Sequence, residues 1–164
     1  MFVITWLNKV SDLINKICLG LSVTLLGATI VITTAQIIFR VFFTSLTWTE
    51  EATRYCLVWC TMLGAGCVYK SGANIAVTFV QDVVPKAVKR YMKVLVHLLC
   101  FTFFVIILVY GVRYMTLMGA QTSAALIIPM KYMYMSIPIG SGIMGLHAFL
   151  AIFEELLHKK GGRV

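Results

Sequence analysis

Four stretches of the chain are long and apolar enough to cross a lipid bilayer. They are residues 17–39, 52–69, 94–112 and 132–153. The hydrocarbon core of a bilayer is about 30 Å thick and an α-helix rises about 1.5 Å per residue, so about 20 apolar residues span it. With 60% hydrophobic and only 12% charged residues in 164 positions, the chain has too little interior to hide its apolar side chains from water. We therefore predict an all-α integral membrane protein with four transmembrane helices in one membrane domain.

Two shorter segments are predicted to lie on the membrane surface. In residues 2–16, apolar side chains such as Trp6, Val10 and Leu13 recur at helical spacing, and polar residues fill the opposite face. A weaker pattern of the same kind runs through residues 74–84. Both patterns are typical of short amphipathic helices at the membrane interface.

The distribution of Lys and Arg predicts which side of the membrane the termini face. With four spans both termini lie on one side, and short positively charged segments tend to remain in the cytoplasm. Ten basic residues fall on the side of the termini and four on the other side. The ten are Lys9, Lys16, Lys70, Lys86, Lys89, Arg90, Lys93, Lys159, Lys160 and Arg163, and the four are Arg40, Arg54, Arg113 and Lys131. Both termini are therefore predicted to be cytoplasmic.

Neither the charge nor the cysteines indicate nucleic-acid, metal or cofactor chemistry. The net charge of +8 is not clustered on a polar domain, as it is in nucleic-acid-binding proteins. The five cysteines form no CxxC pair, and Cys56, Cys60 and Cys67 lie in the second span, where a thiol usually acts as a small apolar group. No cluster of His and carboxylate residues supplies the ligands of a zinc or iron site. We predict no cofactor, no bound metal and no catalytic residue.

The most unusual local sequence opens the second span with two acids and an arginine. Thr47 and Glu50 fit a capping box, and Glu50 and Arg54 have the spacing of a helical ion pair. Trp48 suits the aromatic belt at a membrane surface. These features are sufficient to start a helix. The alternative is that Glu50, Glu51 and Arg54 form a polar contact with a partner subunit.

Three groups of residues resemble the small membrane subunit of tripartite ATP-independent periplasmic (TRAP) transporters. The first group, at the start of the second span, is Trp48, Glu50, Glu51, Arg54 and Trp59. The second and third, which follow the second span and lead into the fourth, are Lys70, Gly72, Asn74, Ile75 and Val77, and Thr122, Ser123, Ala125, Ile128, Pro129, Tyr132, Tyr134, Pro138 and Gly140. Lys70 replaces the commoner Arg and Asn74 the commoner His, so any role of that histidine does not transfer to Asn74.

This resemblance implies a three-part secondary transporter in the cytoplasmic (inner) membrane of a bacterium. A periplasmic substrate-binding protein captures a carboxylate, such as sialic acid or a C4-dicarboxylate, and a large membrane subunit moves it with sodium ions. The small subunit scaffolds the large one, so the implied partners are these two proteins and membrane lipid. The candidate interaction residues are Trp48, Glu50, Glu51, Arg54, Trp59, Ser123, Pro129 and Lys131.

Small residues in the spans predict where helices approach closely. Spanning helices associate through small residues, because lipid is as apolar as the helices are. The candidate packing positions are Gly20, Gly27, Gly64, Gly142 and Gly145. These positions could pack within the four-helix unit or against the large subunit.

Two other functions are possible for a four-span membrane protein. His97 and His147 are the ionisable groups inside the third and fourth spans, and two histidines on antiparallel helices could ligate the haem of a membrane cytochrome. A small four-span drug exporter would instead depend on an acid inside the membrane, usually in the first span. Residues 17–39 contain no acid, so the small TRAP subunit is the favoured function.

Overall fold

The computed structural model describes residues 2–42, 44, 46–71 and 86–157. The helices in these ranges are α1 (Phe2–Phe42), α2 (Thr47–Lys70), α3 (Lys86–Leu117), α4 (Lys131–Tyr134) and α5 (Ser136–Leu157), and a 3₁₀ turn, Met118–Ala120, follows α3. The surface helix predicted at residues 74–84 lies outside the described residues. The rest is almost entirely helical, as the sequence predicts.

Three segments of the described helices are long and apolar enough to cross a membrane. They are Trp6–Phe42, Tyr91–Ala120 and Lys131–Phe153. At 24 residues, α2 would also be long enough, at about 36 Å. It is less apolar because threonines, glycines, tyrosines and Arg54 interrupt its aliphatic residues. Since α2 packs along both α1 and α5, much of its surface is covered by the other helices.

The first predicted span and the segment before it form a single helix. α1 runs for 41 residues without interruption, which is about 60 Å and twice the thickness of a hydrocarbon core. No proline occurs in this range, and its first glycine is Gly20, so nothing in residues 2–16 ends the helix. The predicted boundary between residues 2–16 and 17–39 is therefore not a break in the backbone.

Consecutive long helices run in opposite directions. Lys70 at the end of α2 lies 2.6 Å from Asp12 near the start of α1. At the other end of the molecule, the Gln36 side chain of α1 donates to Glu50 at the start of α2 over 3.4 Å. α5 packs between α2 and α3, which places four long helices side by side. We call the end that contains Glu50 the loop end.

The closest approaches between helices occur at three glycines, because glycine has no side chain to keep the helices apart. A Cβ atom on Gly140 would lie 2.9 Å from Cβ of Met62 and 3.2 Å from its carbonyl oxygen. A Cβ on Gly66 would lie 3.1 Å from Ile143, and one on Gly111 would be equally crowded by α5. The packing of α5 on α2 and α3 therefore depends on small residues, as expected for helices in lipid.

The five glycines predicted as packing positions fall into two groups. A Cβ on Gly64, Gly142 or Gly145 would meet a neighbouring helix at an ordinary contact distance of 3.7 to 3.9 Å. A Cβ on Gly20 or Gly27 would have no neighbour within 4 Å among the residues described. The first group faces other helices of this chain, and the α1 pair faces away from them.

We predict that Gly140→Ala lowers the free energy of unfolding by about 1 to 3 kcal/mol, because the new methyl group must displace the Met62 backbone. Unfolding of the purified protein in detergent, followed by heat or denaturant, measures this change. Gly20→Ala is the matched control, since the same methyl group enters open space and should not lower the Tm. An equal loss of stability in both variants would contradict this account of the packing.

Candidate functional site

A carboxylate of α2 binds the backbone of the loop that joins α3 to the last helices. Glu51 Oε1 accepts the N–H groups of Ala124 and Ala125 at 2.9 and 3.0 Å. Glu51 Oε2 accepts the N–H of Leu126 at 2.9 Å. Successive N–H groups that converge on one anion form a binding nest, and hydrogen bonds to an ionised acceptor are stronger than neutral ones. We call residues 121–130 the Glu51 loop.

The Glu51 loop folds back on itself. The N–H of Met130 donates to the carbonyl of Gln121 over 2.8 Å. One step inside this pair, Thr122 and Pro129 form an isolated antiparallel bridge. Proline has no N–H, so it occupies a position of this short ladder that does not require a donor. The loop is therefore a closed, narrow structure.

One residue of the Glu51 loop has a strained backbone. Ile127 has a φ of 54°, in the left-handed region that β-branched residues rarely adopt. Beside it, the N–H of Ser123 donates to the carbonyl of Ile128 over 2.9 Å, and Oγ of Ser123 accepts the N–H of Ile128 at 3.4 Å. Ser123 is only 4% exposed, whereas Ile127 is 74% exposed. The bonds of Ser123 and Glu51 thus hold Ile127 on the surface despite its strain.

The nest also determines the charge state of Glu51. The N–H of Leu126 is the largest cause, and it lowers the pKa of this carboxyl below its ordinary value of 4.5. Burial opposes it as the second-largest effect, and the N–H of Ala125 adds to the lowering. Hydrogen bonds to the charged form favour that form. Glu51 is therefore a carboxylate at neutral pH, and backbone dipoles rather than a basic side chain balance its charge.

A second link joins α2 to the same end of the molecule. Trp59 Nε1 donates to the carbonyl of Tyr132 over 3.2 Å. The neighbouring Lys131 places its ammonium 5.2 Å from the centre of the Tyr132 ring, which is within the range of a cation–π contact. The predicted candidates Trp59 and Lys131 therefore meet at Tyr132, next to the Glu51 loop.

The predicted ion pair between Glu50 and Arg54 is wrong. Glu50 instead accepts a hydrogen bond from Gln36 of α1. Arg54 is exposed and belongs to neither of the ion pairs found among the described residues. Trp48 is also exposed, at 45%. The Glu50 carboxylate thus joins two helices, and Arg54 is left at the surface.

The predicted capping box is wrong as well. α2 begins at Thr47, with Leu46 at the N-cap and no side-chain hydrogen bond to the cap. The buried hydroxyl of Thr49 donates back to the carbonyl of Leu46 over 2.6 Å. Because Glu50 and Glu51 turn toward α1 and the Glu51 loop, neither is available to complete a box.

The structure brings together Glu51, Ser123 and Pro129, which are far apart in the sequence, and places Trp59 and Lys131 beside them. It leaves Trp48 and Arg54 at the surface. The amide groups that bind Glu51 were not predicted, because backbone N–H groups have no signature of their own in a sequence. The available signal is the run of small residues from Ser123 to Ala125, which lets a carboxylate approach the backbone closely.

The comparisons with known proteins assign the chain to a family. Residues 29–158 match the family described as "Tripartite ATP-independent periplasmic transporters, DctQ component". The matched range includes all of α2 and the Glu51 loop. The chain belongs to this family. It is therefore a transporter component and not an enzyme, and the resemblance to the small TRAP subunit is confirmed.

A curated relative supports the same assignment. The chain is 27% identical over 151 residues to the sialic acid TRAP transporter permease protein SiaT of Haemophilus influenzae (strain 86-028NP). The alignment covers 92% of this chain and 24% of the relative. The chain thus spans about a quarter of the length of the relative it matches.

The two histidines of the cytochrome alternative both line one cavity. His97 Nδ1 shares a hydrogen bond of 2.8 Å with the hydroxyl of Tyr69. His147 Nδ1 shares one of 2.9 Å with the hydroxyl of Ser11. The DctQ assignment favours a TRAP transporter component over both a cytochrome and a drug exporter. The two histidines therefore need another explanation.

In this DctQ component, we predict that Glu51→Ala releases the Glu51 loop. Hydrogen–deuterium exchange at Ala124, Ala125 and Leu126 should become faster, because their N–H groups lose their acceptor. Exchange in the middle of α5 should not change. Glu50→Ala is the matched control, since it removes a neighbouring carboxylate that does not bind the loop.

Acid should reproduce the effect of Glu51→Ala without a substitution. A lowered pKa in the folded protein means that the stabilising effect is present above the ordinary value of 4.5 and is lost as the pH falls through the lowered value. After correction for the intrinsic effect of pH on amide exchange, the exchange rate in the Glu51 loop should therefore increase only in that acidic range. Faster exchange in the Glu50→Ala control, or unchanged exchange in Glu51→Ala, would contradict the role of the nest.

Proposed function

We propose that the chain is the small permease subunit of a TRAP-type secondary transporter. In this proposal it scaffolds a large membrane subunit for sodium-coupled uptake of an organic acid that a periplasmic binding protein delivers. The observation that carries the proposal is the DctQ match over residues 29–158. Sialic acid is the first substrate to test because of the relative's name, and a C4-dicarboxylate or a similar organic acid is the next.

The described helices contain little chemistry for moving an anion across a membrane. Transport sites near mid-membrane use ionisable side chains or interrupted helices. α1 and α3 are uninterrupted over 41 and 32 residues. The Asp, Glu, Lys and Arg residues of the described helices lie toward the helix ends, and His97 and His147 are the ionisable residues farther inside. This favours a supporting role, with the substrate and sodium sites on the large subunit.

The outer surface of α1 is suited to contact with that subunit. A Cβ on Gly20 or Gly27 would meet none of the described residues within 4 Å. Val23 and Val31 on the same helix are 63% and 68% exposed. Small residues on a spanning helix allow another helix to approach closely. The relative, of which this chain matches 24%, is called a permease protein, and we propose that a large membrane subunit covers this surface.

The proposed placement is the bacterial inner membrane, with four spans and both termini in the cytoplasm. The antiparallel contacts of α1 with α2 support it, as does the excess of basic residues on the side of the termini. In this placement α2 is the least apolar span. It can lie in the membrane because α1 and α5 cover much of its surface. The loop end then faces the periplasm.

We predict that the large subunit, reconstituted with its binding protein and a sodium gradient, takes up labelled sialic acid or a C4-dicarboxylate efficiently only when this chain is present. The physical reason is that a moving domain needs a fixed frame in the membrane. Uptake into liposomes with and without the chain measures this. Transport at the full rate without the chain would refute the scaffold function, and uptake that does not depend on sodium would refute the coupling.

A second role, docking of the binding protein, is favoured by the geometry of the loop end. The Glu51 loop holds Ile127 outward in a strained conformation, and Lys131 and Glu50 lie at the same end. Strain that is held in place at a surface is typical of binding sites. We infer that this surface contacts the binding protein.

We predict that the charge reversals Glu50→Lys and Lys131→Glu weaken sodium-driven uptake and leave membrane insertion intact. Both change charges at the loop end without removing the Glu51 nest. Uptake measured over a range of binding-protein concentrations should recover at saturation, because only docking is weakened. Lys9→Gln, at the other end, is the control. Unchanged uptake in both loop-end variants would count against docking there.

A further inference from the structure

A polar cavity lies among the four long helices, away from the loop end. Its volume is about 330 Å³, and its polar lining includes Ser11, Asp12, Tyr69, Lys70, His97 and His147. These residues come from α1, α2, α3 and α5. Polar and ionisable groups are costly to bury in a membrane protein and usually mark a functional site. Neither the proposed scaffold role nor the docking role uses this cavity.

His147 lines this cavity and carries a buried polar atom that has no partner among the described residues. The residue is only 4% exposed, and its partner Ser11 is 3% exposed. The hydrogen bond with Ser11 uses Nδ1, while Nε2 is buried and has no hydrogen-bond partner among the residues described. When the Ser11 hydroxyl donates to Nδ1, the ring proton is on Nε2. The ring then presents a buried N–H donor that requires an acceptor.

Lys70 supplies a positive charge to the same cavity. Its ammonium lies 2.6 Å from Asp12, and the two side chains are 21% and 64% exposed, respectively. An ammonium has three N–H donors. One of them binds the carboxylate of Asp12, which is the more exposed partner of the pair. The hydroxyl of Tyr69 and the ring of His97 already bind each other. Lys70 carries a positive charge, and His147 Nε2 has no partner among the described residues, so these two donors are the ones that most require an acceptor.

We propose that this cavity binds a phosphate group, with the Lys70 ammonium and His147 Nε2 as its donors. Phosphate oxygens accept several hydrogen bonds at once, and lysine binds phosphate as a point charge. A single water occupies about 30 Å³ of liquid volume, so the cavity has room for a tetrahedral anion. The Asp12 carboxylate opposes a second negative charge, so the site favours a singly charged phosphate.

Two sources can supply this phosphate: a phospholipid headgroup and inorganic phosphate. A phosphodiester headgroup carries the single charge that the Asp12 carboxylate tolerates. Apolar side chains on α1 and α3 near the cavity are exposed, among them Leu13 at 60% and Leu99 at 62%, and they would contact the acyl chains of a lipid. The headgroup is therefore the expected source.

The test uses the full chain, purified in detergent and depleted of lipid. The probes are inorganic phosphate and short-chain phosphatidylglycerol, and a diacylglycerol with the same acyl chains is the control without phosphate. Saturable stabilisation against heat measures binding, and broadening of the ³¹P resonance reports contact with the phosphate itself. We expect Lys70→Gln and His147→Asn each to raise the Kd by about tenfold, the loss that corresponds to one charged or buried hydrogen bond.

Two matched variants separate binding from folding. His147→Gln places an amide near the position of Nε2, so its Kd should stay within about threefold of that of the unsubstituted chain. His147→Asn places an amide only near the position of Nδ1, which faces Ser11. Lys9→Gln removes an exposed charge and should have no effect. If His147→Asn does not fold, Lys70→Gln and His147→Gln still test the site.

Each outcome has a definite meaning. Binding of phosphatidylglycerol alone identifies a lipid headgroup site, and binding of inorganic phosphate as well identifies a site for the free ion. Both support the proposal if Lys70→Gln weakens them. No saturable binding of either probe, equal stabilisation by diacylglycerol, or unchanged binding in Lys70→Gln would overturn it and leave water as the occupant of the cavity.

Discussion

The architecture follows from the absence of water in the hydrocarbon core of a membrane. Every backbone N–H and C=O there needs a partner within the protein, so the apolar segments become helices. Backbone that is not helical occurs among the described residues mainly at the loop end, where Glu51 binds three N–H groups that have no helical partner. The Glu51 nest therefore supplies hydrogen-bond partners to the backbone of one loop, as helix formation does for the other segments.

The molecule uses different contacts at different depths. In the middle, α5 packs on α2 and α3 through Gly140, Gly66 and Gly111, where close contact replaces the hydrophobic effect that drives packing in water. At the ends, polar groups can be exposed, and there the structure places its ion pairs and the Glu51 nest. The cavity extends from Lys70 inward to the buried His147. This division explains how a chain with so few charged residues can still have two polar sites.

Much of the fold was predictable because hydrophobicity is a local property of a helix. The predicted spans 94–112 and 132–153 fall within α3 and the α4–α5 region, and the first span lies inside α1. The second span was the hardest to judge, since α2 depends on its neighbours to cover its polar residues. The motif at Glu50, Glu51 and Arg54 identified the family, but spacing along the sequence gave the wrong partners for Glu50 and Arg54. Side-chain pairing depends on helices that lie elsewhere in the chain.

Length, hydropathy and a few spaced residues were sufficient to establish a helical membrane protein of the small TRAP subunit type. Packing in three dimensions established that Glu51 binds a loop more than 70 residues away, that Gln36 takes the place of Arg54 beside Glu50, and that His147 meets Ser11 across the bundle. The physical reason is that the hydropathy of a segment is a property of its own residues and can be read along the sequence. Hydrogen bonds depend on distance and direction between atoms, which only the arrangement of the helices sets.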